Sequence, residues 1–339
     1  MTSLKRITYR VAAVLACIPF ILLYVVEVNT SWKNDRQEKP KLSQTEREVG
    51  NGATWKAKSE IKNISVKNSA DRHFSLQEKL NDSSSNLLGK VKSGKKHIII
   101  YNNVPKCGSR SLAHSIKDTL KRNGDFRGIE VKGNKMKGSD LSKSFRGIHA
   151  PSYISGHMPF VVPRRENIVY INMVRDPIQR FISGYYFAIN GDEGGVKAGS
   201  KLKSNRTIDE YIKDGGAVTS HIYFHFDRYD LYETANSSDS ILQRSKANID
   251  KYFILVGLTE ELEATVVLLQ KLLPDLLHGL HRMYKKTTAE TRSSYSTLHK
   301  VPPSNQTIEI LKEKLKDEFE LYLFVKQRFE EIKRRYRVT

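Results

Sequence analysis

Between residues 29 and 96 the apolar positions keep no sustained period, and the residues among them are mostly Lys, Ser, Asn and Glu. Such a stretch buries too little surface to offset its ordering entropy, so it predicts a stem rather than a folded unit. From His97 the pattern changes. "HIIIY" at 97–101 is a short continuous apolar run, and "NIVYINMV" at 167–174 and "YFILVGL" at 252–258 are two more. Unbroken apolar runs of that length predict strands buried on both faces. Helical periods stand between and after them, over Ser111 to Arg122, Pro177 to Ile189, Glu260 to Leu273 and a long amphipathic stretch from Thr307 to Tyr336. Strands alternating with helices predict an α/β domain over 97–339, with a central parallel sheet flanked by helices. In the last helix Ile308, Leu311, Leu315, Phe319, Tyr322, Val325 and Phe329 share a face broad enough for a globular core.

The N-terminus is patterned differently. Lys5, Arg6 and Arg10 precede an uncharged apolar run from Val11 to Val26, which Glu27 ends. A cleaved signal peptide shares that layout. No small-x-small cleavage site follows Val26, so the expectation is a signal-anchor over 11–28 with 1–10 as a cytosolic tail. Its short span suits the thin membranes of the early secretory pathway, and the basic flank puts the rest in the lumen. Asn29, Asn63, Asn81, Asn205, Asn236 and Asn305 each head an Asn-x-Ser/Thr triplet, which agrees with that compartment.

Composition narrows the partners. Fifty-seven Lys and Arg against 37 Asp and Glu give a formal net charge of +20, a field suited to polyanions. A luminal address disfavours nucleic acid and leaves anionic lipid, acidic polysaccharide and phosphorylated small molecules. The two cysteines, Cys17 and Cys107, fall in the apolar run and in the domain, so no disulfide forms within the luminal part and no cysteine zinc site exists.

Two turns carry the candidate chemistry. "YNNVPKCGSRSL" at 101–112 sets Lys106, Gly108, Ser109 and Ser111 between a strand and a helix. That layout suits a phosphate cradle of backbone N–H groups with a lysine for charge; it equally suits a plain turn before a hydroxyl-capped helix. The nucleotide-triphosphatase spacing is missing, which weakens a kinase reading. "VYINMVRDPIQRFISGYYF" at 169–187 repeats the plan, with Arg175 at the strand's end, Pro177 at the first helical position and Ser183 two turns on. Arg175 there fits a second phosphate, or a pairing with Asp176. Two such turns at one sheet edge suggest one ligand with phosphates at both ends.

These segments resemble those of a known family. "VPKCGSRSL" is similar to the 5′-phosphosulfate loop of Golgi carbohydrate sulfotransferases, and "RDPIQRFISGYY" to their 3′-phosphate motif. Within that group the chain resembles the 2-O-sulfotransferases acting on hexuronic acids of glycosaminoglycans, the heparan sulfate and uronyl enzymes, from about His97 to Phe329. The resemblance implies a P-loop-kinase-like sulfotransferase fold and 3′-phosphoadenosine 5′-phosphosulfate as donor, with no metal expected. Lys106, Cys107, Gly108, Ser109, Arg110 and Ser111 would form the 5′ loop, and Arg175 with Ser183 would hold the 3′-phosphate. The stretch "TRSSYSTLHK" at 291–300 falls where the family closes a loop over the nucleotide.

Sulfuryl transfer, like phosphoryl transfer, depends on positioning and charge stabilisation, with Lys106 neutralising charge on the bridging oxygen. A sugar hydroxyl also needs a base. His157 in "YISGHMPF" titrates in the right range, although one histidine among ten carries little weight alone. The resemblance places the family's catalytic histidine in this segment, with Ser155 where some members have another histidine. It also puts Asn103 where relatives have an acceptor-contacting arginine, and finds none of their stapling cysteines in "TSHIYFHFDRYD". His221, His225, Arg228, Lys201 to Arg206, and "HRMYKK" from His281, are candidates for an acceptor groove. The expectation is a Golgi membrane sulfotransferase acting on the 2-hydroxyl of hexuronic acid in a glycosaminoglycan, in a chain the resemblance allows to be a homo-oligomer. The alternatives are a non-catalytic polysaccharide-binding protein on the same fold, a sulfotransferase for another glycan, and, more weakly, a luminal kinase.

Overall fold

A computed structural model describes residues 96–124, 127–130, 145–192, 206–218, 220, 222–227, 238–291 and 296–339. The expected tail, anchor and stem, but for Lys96, lie outside the described residues, as do five of the six glycosylation triplets' asparagines. Among the described residues no helix is long and apolar enough to cross a membrane.

Among the described residues five strands form one parallel sheet: β1 (Ile98–Tyr101), β2 (Arg127–Glu130), β3 (Ser152–Ser155), β4 (Ile168–Val174) and β5 (Phe253–Leu258), in the order β2-β3-β1-β4-β5. Every residue of β1, β4 and β5 is buried, as their apolar runs predict. The pattern did not reveal β2 and β3. β3 has only Tyr153 and Ile154 between serines, and β2 at the sheet edge reads Arg-Gly-Ile-Glu.

The helices are α1 (Ser109–Asn123), α2 (Pro177–Asn190), α3 (Ile208–Lys213), α4 (Ser238–Tyr252), α5 (Leu262–Leu272), α6 (Pro274–Leu277), α7 (Leu280–Thr291), α8 (Asn305–Lys314) and α9 (Lys316–Tyr336). Local chemistry starts several of them. Asp176 accepts from the Gln179 N–H ahead of Pro177, Thr207 and Glu210 make a reciprocal capping box, and Ser304 caps α8.

The single long helix expected from Thr307 is two helices that meet at Leu315, whose φ of −105° and ψ of 15° leave the helical range. The break follows the packing. α8 lies on α2 and α3, where Leu311 joins Ile178, Ile182 and Ile208 in a small cluster, whereas α9 lies over β5, α4 and α5 in the main core. No Gly or Pro marks the change, so periodicity runs straight through it. On α9 the predicted Tyr322, Val325 and Phe329 are buried, while Leu323 is 58% exposed.

One buried ion pair ties the parts together. Arg180 on α2 donates from Nε and Nη2 to the two carboxylate oxygens of Glu318 on α9, at 2.5 and 2.8 Å, and Ser220 Oγ adds a third hydrogen bond at 2.7 Å. Both residues are almost wholly buried.

Candidate active site

The carboxyl ends of β1, β3 and β4 sit side by side, because β1 pairs with β3 on one flank and β4 on the other. The three segments that carry the sequence-predicted residues therefore leave the sheet together. The loop after β1 turns through Lys106, at φ +64°, and Gly108, at φ +69°, before α1 begins at Ser109. A lysine in the left-handed region costs about 1–2 kcal/mol relative to an ordinary turn, and such strain is held where function needs it. A Cβ at 108 would be strained by that φ, although it would meet Met173 Cε only at an ordinary contact distance of 3.4 Å.

The helix is not hydroxyl-capped. Gly108 is the N-cap of α1, and among the described residues no side chain accepts from the first turn. Free N–H groups and the positive end of the helix dipole are thus left facing the loop, as a phosphate requires. Ser109 is buried, Ser111 is half-buried and its carbonyl accepts from Ser115 Oγ. Cys107 is fully buried, and burial pushes its thiol up to about 12. Only its backbone can serve a ligand, so reactive-thiol chemistry is excluded at this position.

Lys106 lies over α2, with Nζ 3.6 Å from the centroid of the Phe187 ring, and its stem passes Gly184. Burial lowers its pKa to about 8; Arg110, Arg175 and Lys300 add to the shift and Asp192 opposes it. The Arg175 guanidinium donates to the Lys106 carbonyl at 3.4 Å rather than pairing with Asp176, whose carboxylate caps α2. Lys300 is lowered too, by burial and then by Arg175. Arg110 forms an ion pair with the buried Asp192. Four cations are crowded within each other's field beside an open helix N-terminus, and Asp192 offsets only part of their charge. That is a site built for an anion.

Ser183 is buried one helical turn from Lys106's resting place, with its Oγ 3.3 Å from Thr297 Oγ1. Thr297 pairs with Asp192 across an isolated antiparallel bridge, and Asn190 Nδ2 donates to the Leu298 carbonyl at 3.1 Å. The end of the 291–300 stretch is therefore fastened onto α2, which brings Lys300 to Arg175. Residues 292–295 lie outside the described residues. Lys300, Thr297 and Asp192 are members of the site that no motif named singly; the two basic ends of "TRSSYSTLHK" were the only trace of them.

His157 follows β3. Its Nδ1–H donates to the Asn103 carbonyl at 2.8 Å, which leaves Nε2 without a proton and open for use as a base. The residue is exposed, yet protein crowds it on its other sides. Burial lowers its pKa, the bond to Asn103 pulls the other way, and the charges of Arg110 and Lys106 add to the lowering. Ser155, two places earlier, ends β3 and is half-buried. Asn103 is 8% exposed and its Oδ1 has no hydrogen-bond partner among the described residues.

The candidate acceptor residues fare less uniformly. His225 is 2% exposed and bonded to Asn102, so it belongs to the interior rather than to a groove. Arg206 is occupied by Asp214 and the Glu210 carbonyl. In the "HRMYKK" stretch His281 and Lys285 share Glu263. His221, Arg228 and residues 201–205 lie outside the described residues. A separate hollow lined by Gln270, Lys271, Pro274, His278, Arg335, Tyr336 and Arg337 shares no residue with the cation cluster. Among the described residues no group of three or more His, Cys, Asp or Glu is placed to hold a metal ion.

The chain is similar to several known proteins. Residues 91–325 match the model of the sulfotransferase family. The chain is 28% identical over 259 residues to the human uronyl 2-sulfotransferase, a match covering 70% of this chain and 64% of that protein. It is 29% identical over 258 residues to human heparan sulfate 2-O-sulfotransferase 1, covering 70% and 71% of the two chains. A heparan sulfate 2-O-sulfotransferase of Caenorhabditis elegans is 27% identical over 257 residues, covering 69% and 79%. A mouse sulfotransferase crystallised with PAP overlaps 72% of this chain at 14% identity and a TM-score of 0.40. With a family match over most of its length, falling on the domain that contains both phosphate-suited turns, the chain belongs to the sulfotransferase family.

Proposed function

We propose that the chain transfers the sulfuryl group of 3′-phosphoadenosine 5′-phosphosulfate to the 2-hydroxyl of a hexuronic acid in a glycosaminoglycan. The observation that carries this reading is the meeting of Lys106, Arg175 and His157 at one sheet edge, around an uncapped helix N-terminus. The names of the uronyl and heparan sulfate relatives supply the acceptor class.

The donor contributes an activated sulfuryl group on a phosphate leaving group. The protein's part is positioning and charge. Backbone N–H groups of 107–111 hold the 5′-phosphate, and Lys106 Nζ neutralises charge on the oxygen that leaves. Arg175, Ser183, Thr297 and Lys300 hold the 3′-phosphate. His157 Nε2 accepts the proton of the attacking hydroxyl, while its Nδ1–H stays on Asn103. We place this domain in the Golgi lumen, tethered by residues 11–28, on the strength of the basic flank, the apolar run and the glycosylation triplets.

Labelled donor incubated with the chain and dermatan or desulfated heparin should yield 2-O-sulfated uronate on disaccharide analysis. His157→Ala should lose turnover and keep its affinity for 3′-phosphoadenosine 5′-phosphate. Tight nucleotide binding without sulfated product from any of these polysaccharides would refute the proposed transfer.

A further inference from the structure

Beneath the phosphate loop lies a buried polar cluster that the reaction described above does not use. Asn172, on the interior strand β4, is 2% exposed and its side chain makes four hydrogen bonds. Its Oδ1 accepts from the Val104 N–H at 3.3 Å and the Met173 N–H at 2.7 Å. Its Nδ2 donates to Asn102 O at 2.9 Å and Asn102 Oδ1 at 3.0 Å. Asn102 is exchanged in turn with His225: Asn102 Nδ2 donates to the His225 carbonyl at 2.8 Å, and His225 Nδ1–H donates to the Asn102 carbonyl at 2.9 Å. Both lone pairs of the Asn102 carbonyl are thereby filled.

The next residue holds the base. Asn103 N–H donates to the Gly156 carbonyl at 3.1 Å, and the Asn103 carbonyl receives His157 Nδ1–H. One peptide unit thus separates the carbonyl gripped by His225 from the carbonyl that grips His157. His225 is itself on a fixed support. Asp227 is bound by Arg244 Nε and Nη2 at 3.0 and 2.7 Å, and Asn248 Nδ2 donates to the Phe226 carbonyl at 2.9 Å, both from α4. The Phe160 N–H, three residues past His157, donates to Phe224 O at 2.9 Å. The segment 222–227 therefore touches the base's setting from both sides. Buried, mutually satisfied networks of this kind hold one backbone arrangement, because any alternative leaves polar groups unpaired in the interior.

We infer that His225, acting through Asn102, is a positioning residue for the transfer: it fixes the 102–103 backbone so that the Asn103 carbonyl keeps His157 in the tautomer with Nε2 open. The inference rests on the reading of His157 as the base. It departs from a groove-lining role for His225, which its burial rules out.

The test compares His225→Leu, His225→Asn and His225→Gln in the full chain. Asparagine keeps an N–H where Nδ1 stood, whereas glutamine carries its N–H where Nε2 stood. Three quantities are read: kcat, affinity for 3′-phosphoadenosine 5′-phosphate by calorimetry, and the tautomer of His157 by nitrogen-15 ring spectra. Displacement of a reacting group by an ångström costs on the order of 10²-fold, so kcat should fall about that far in the leucine and glutamine variants. Nucleotide affinity should stay within about threefold, the His157 Nδ1–H signal should average with the other tautomer, and asparagine should return most of the turnover. Unchanged kcat in the leucine variant overturns the inference. So does lost turnover with the His157 signal intact. If the leucine variant does not fold, the asparagine and glutamine pair decides, and equal turnover in the two refutes the inference. If the parent itself sulfates no uronate, the function proposed above fails, yet the ring spectra still tell whether His225 sets the His157 tautomer.

Discussion

Lys106 and His157 show how burial, reinforced by the same crowding of positive charge, would prepare two residues for the opposite roles proposed above. The ammonium of Lys106 is held at about 8, so near that pH the free protein carries only part of its proton. Arrival of a bisphosphate restores the charged form. Binding of 3′-phosphoadenosine 5′-phosphate at pH 8 should therefore take up about half a proton, measurable from the dependence of calorimetric heat on buffer ionisation enthalpy. The sign for stability follows: between about 8 and 10.5 the unfolded chain holds a proton the folded one has lost, so the free protein's contribution from Lys106 becomes more favourable as pH rises. His157 is displaced the same way, below 6.5. A base must be neutral, so kcat/KM for the donor should stay level through neutral pH and fall on acidification with a limb below 6.5. A limb above that value would mean that another group titrates.

The residues' legibility followed their exposure to pattern. Lys106, Gly108 and Arg175 announce themselves because charge and glycine at the end of an apolar run have few other uses. Asn172 does not, since one amide inside "IVYINMV" reads as a blemish in a strand, yet it carries four hydrogen bonds. His225 reads as a surface histidine, because nothing local shows that residue 102 will reach it from 123 positions away.

At the level of elements, β1, β4 and β5 were readable because a strand covered on both faces must be apolar throughout. β2 and β3 were not, and His157 was consequently anchored to a strand that periodicity does not show. The helix pair α8 and α9 reads as one in the sequence, because the change of packing partner at Leu315 has no composition of its own. The Arg180–Glu318 pair belongs at this scale, since it joins α2, which carries Ser183, to α9. Glu318→Ala leaves a guanidinium buried and unpaired, and should cost about 3–5 kcal/mol by chemical denaturation. Replacing both partners together, Arg180→Met with Glu318→Leu, should recover most of that loss. Equal destabilisation by the single and double changes would show that the pair does not act as a unit.

For the whole molecule the informative quantity is the net charge of +20. A field of that size concentrates a polyanion near the surface and steers it in, an effect that ions in solution weaken. Carrying the ionic strength from about 0.1 M to 1 M shortens the screening length from about 10 Å to about 3 Å. The KM for a polysaccharide acceptor should rise several-fold over that range, while a short uronate oligosaccharide, with fewer charges to attract, should respond less. Equal salt sensitivity for long and short acceptors would confine the electrostatics to the catalytic centre.

The bare beginning of α1 has a consequence of its own. A helix whose first amides meet no side chain is unfinished as it stands, and a dianionic group seated there would complete it. A nucleotide seated there, as proposed above, would then not be merely a guest in a finished pocket. It would supply the terminal stop of the segment holding it, so that occupancy and local order would rise and fall together.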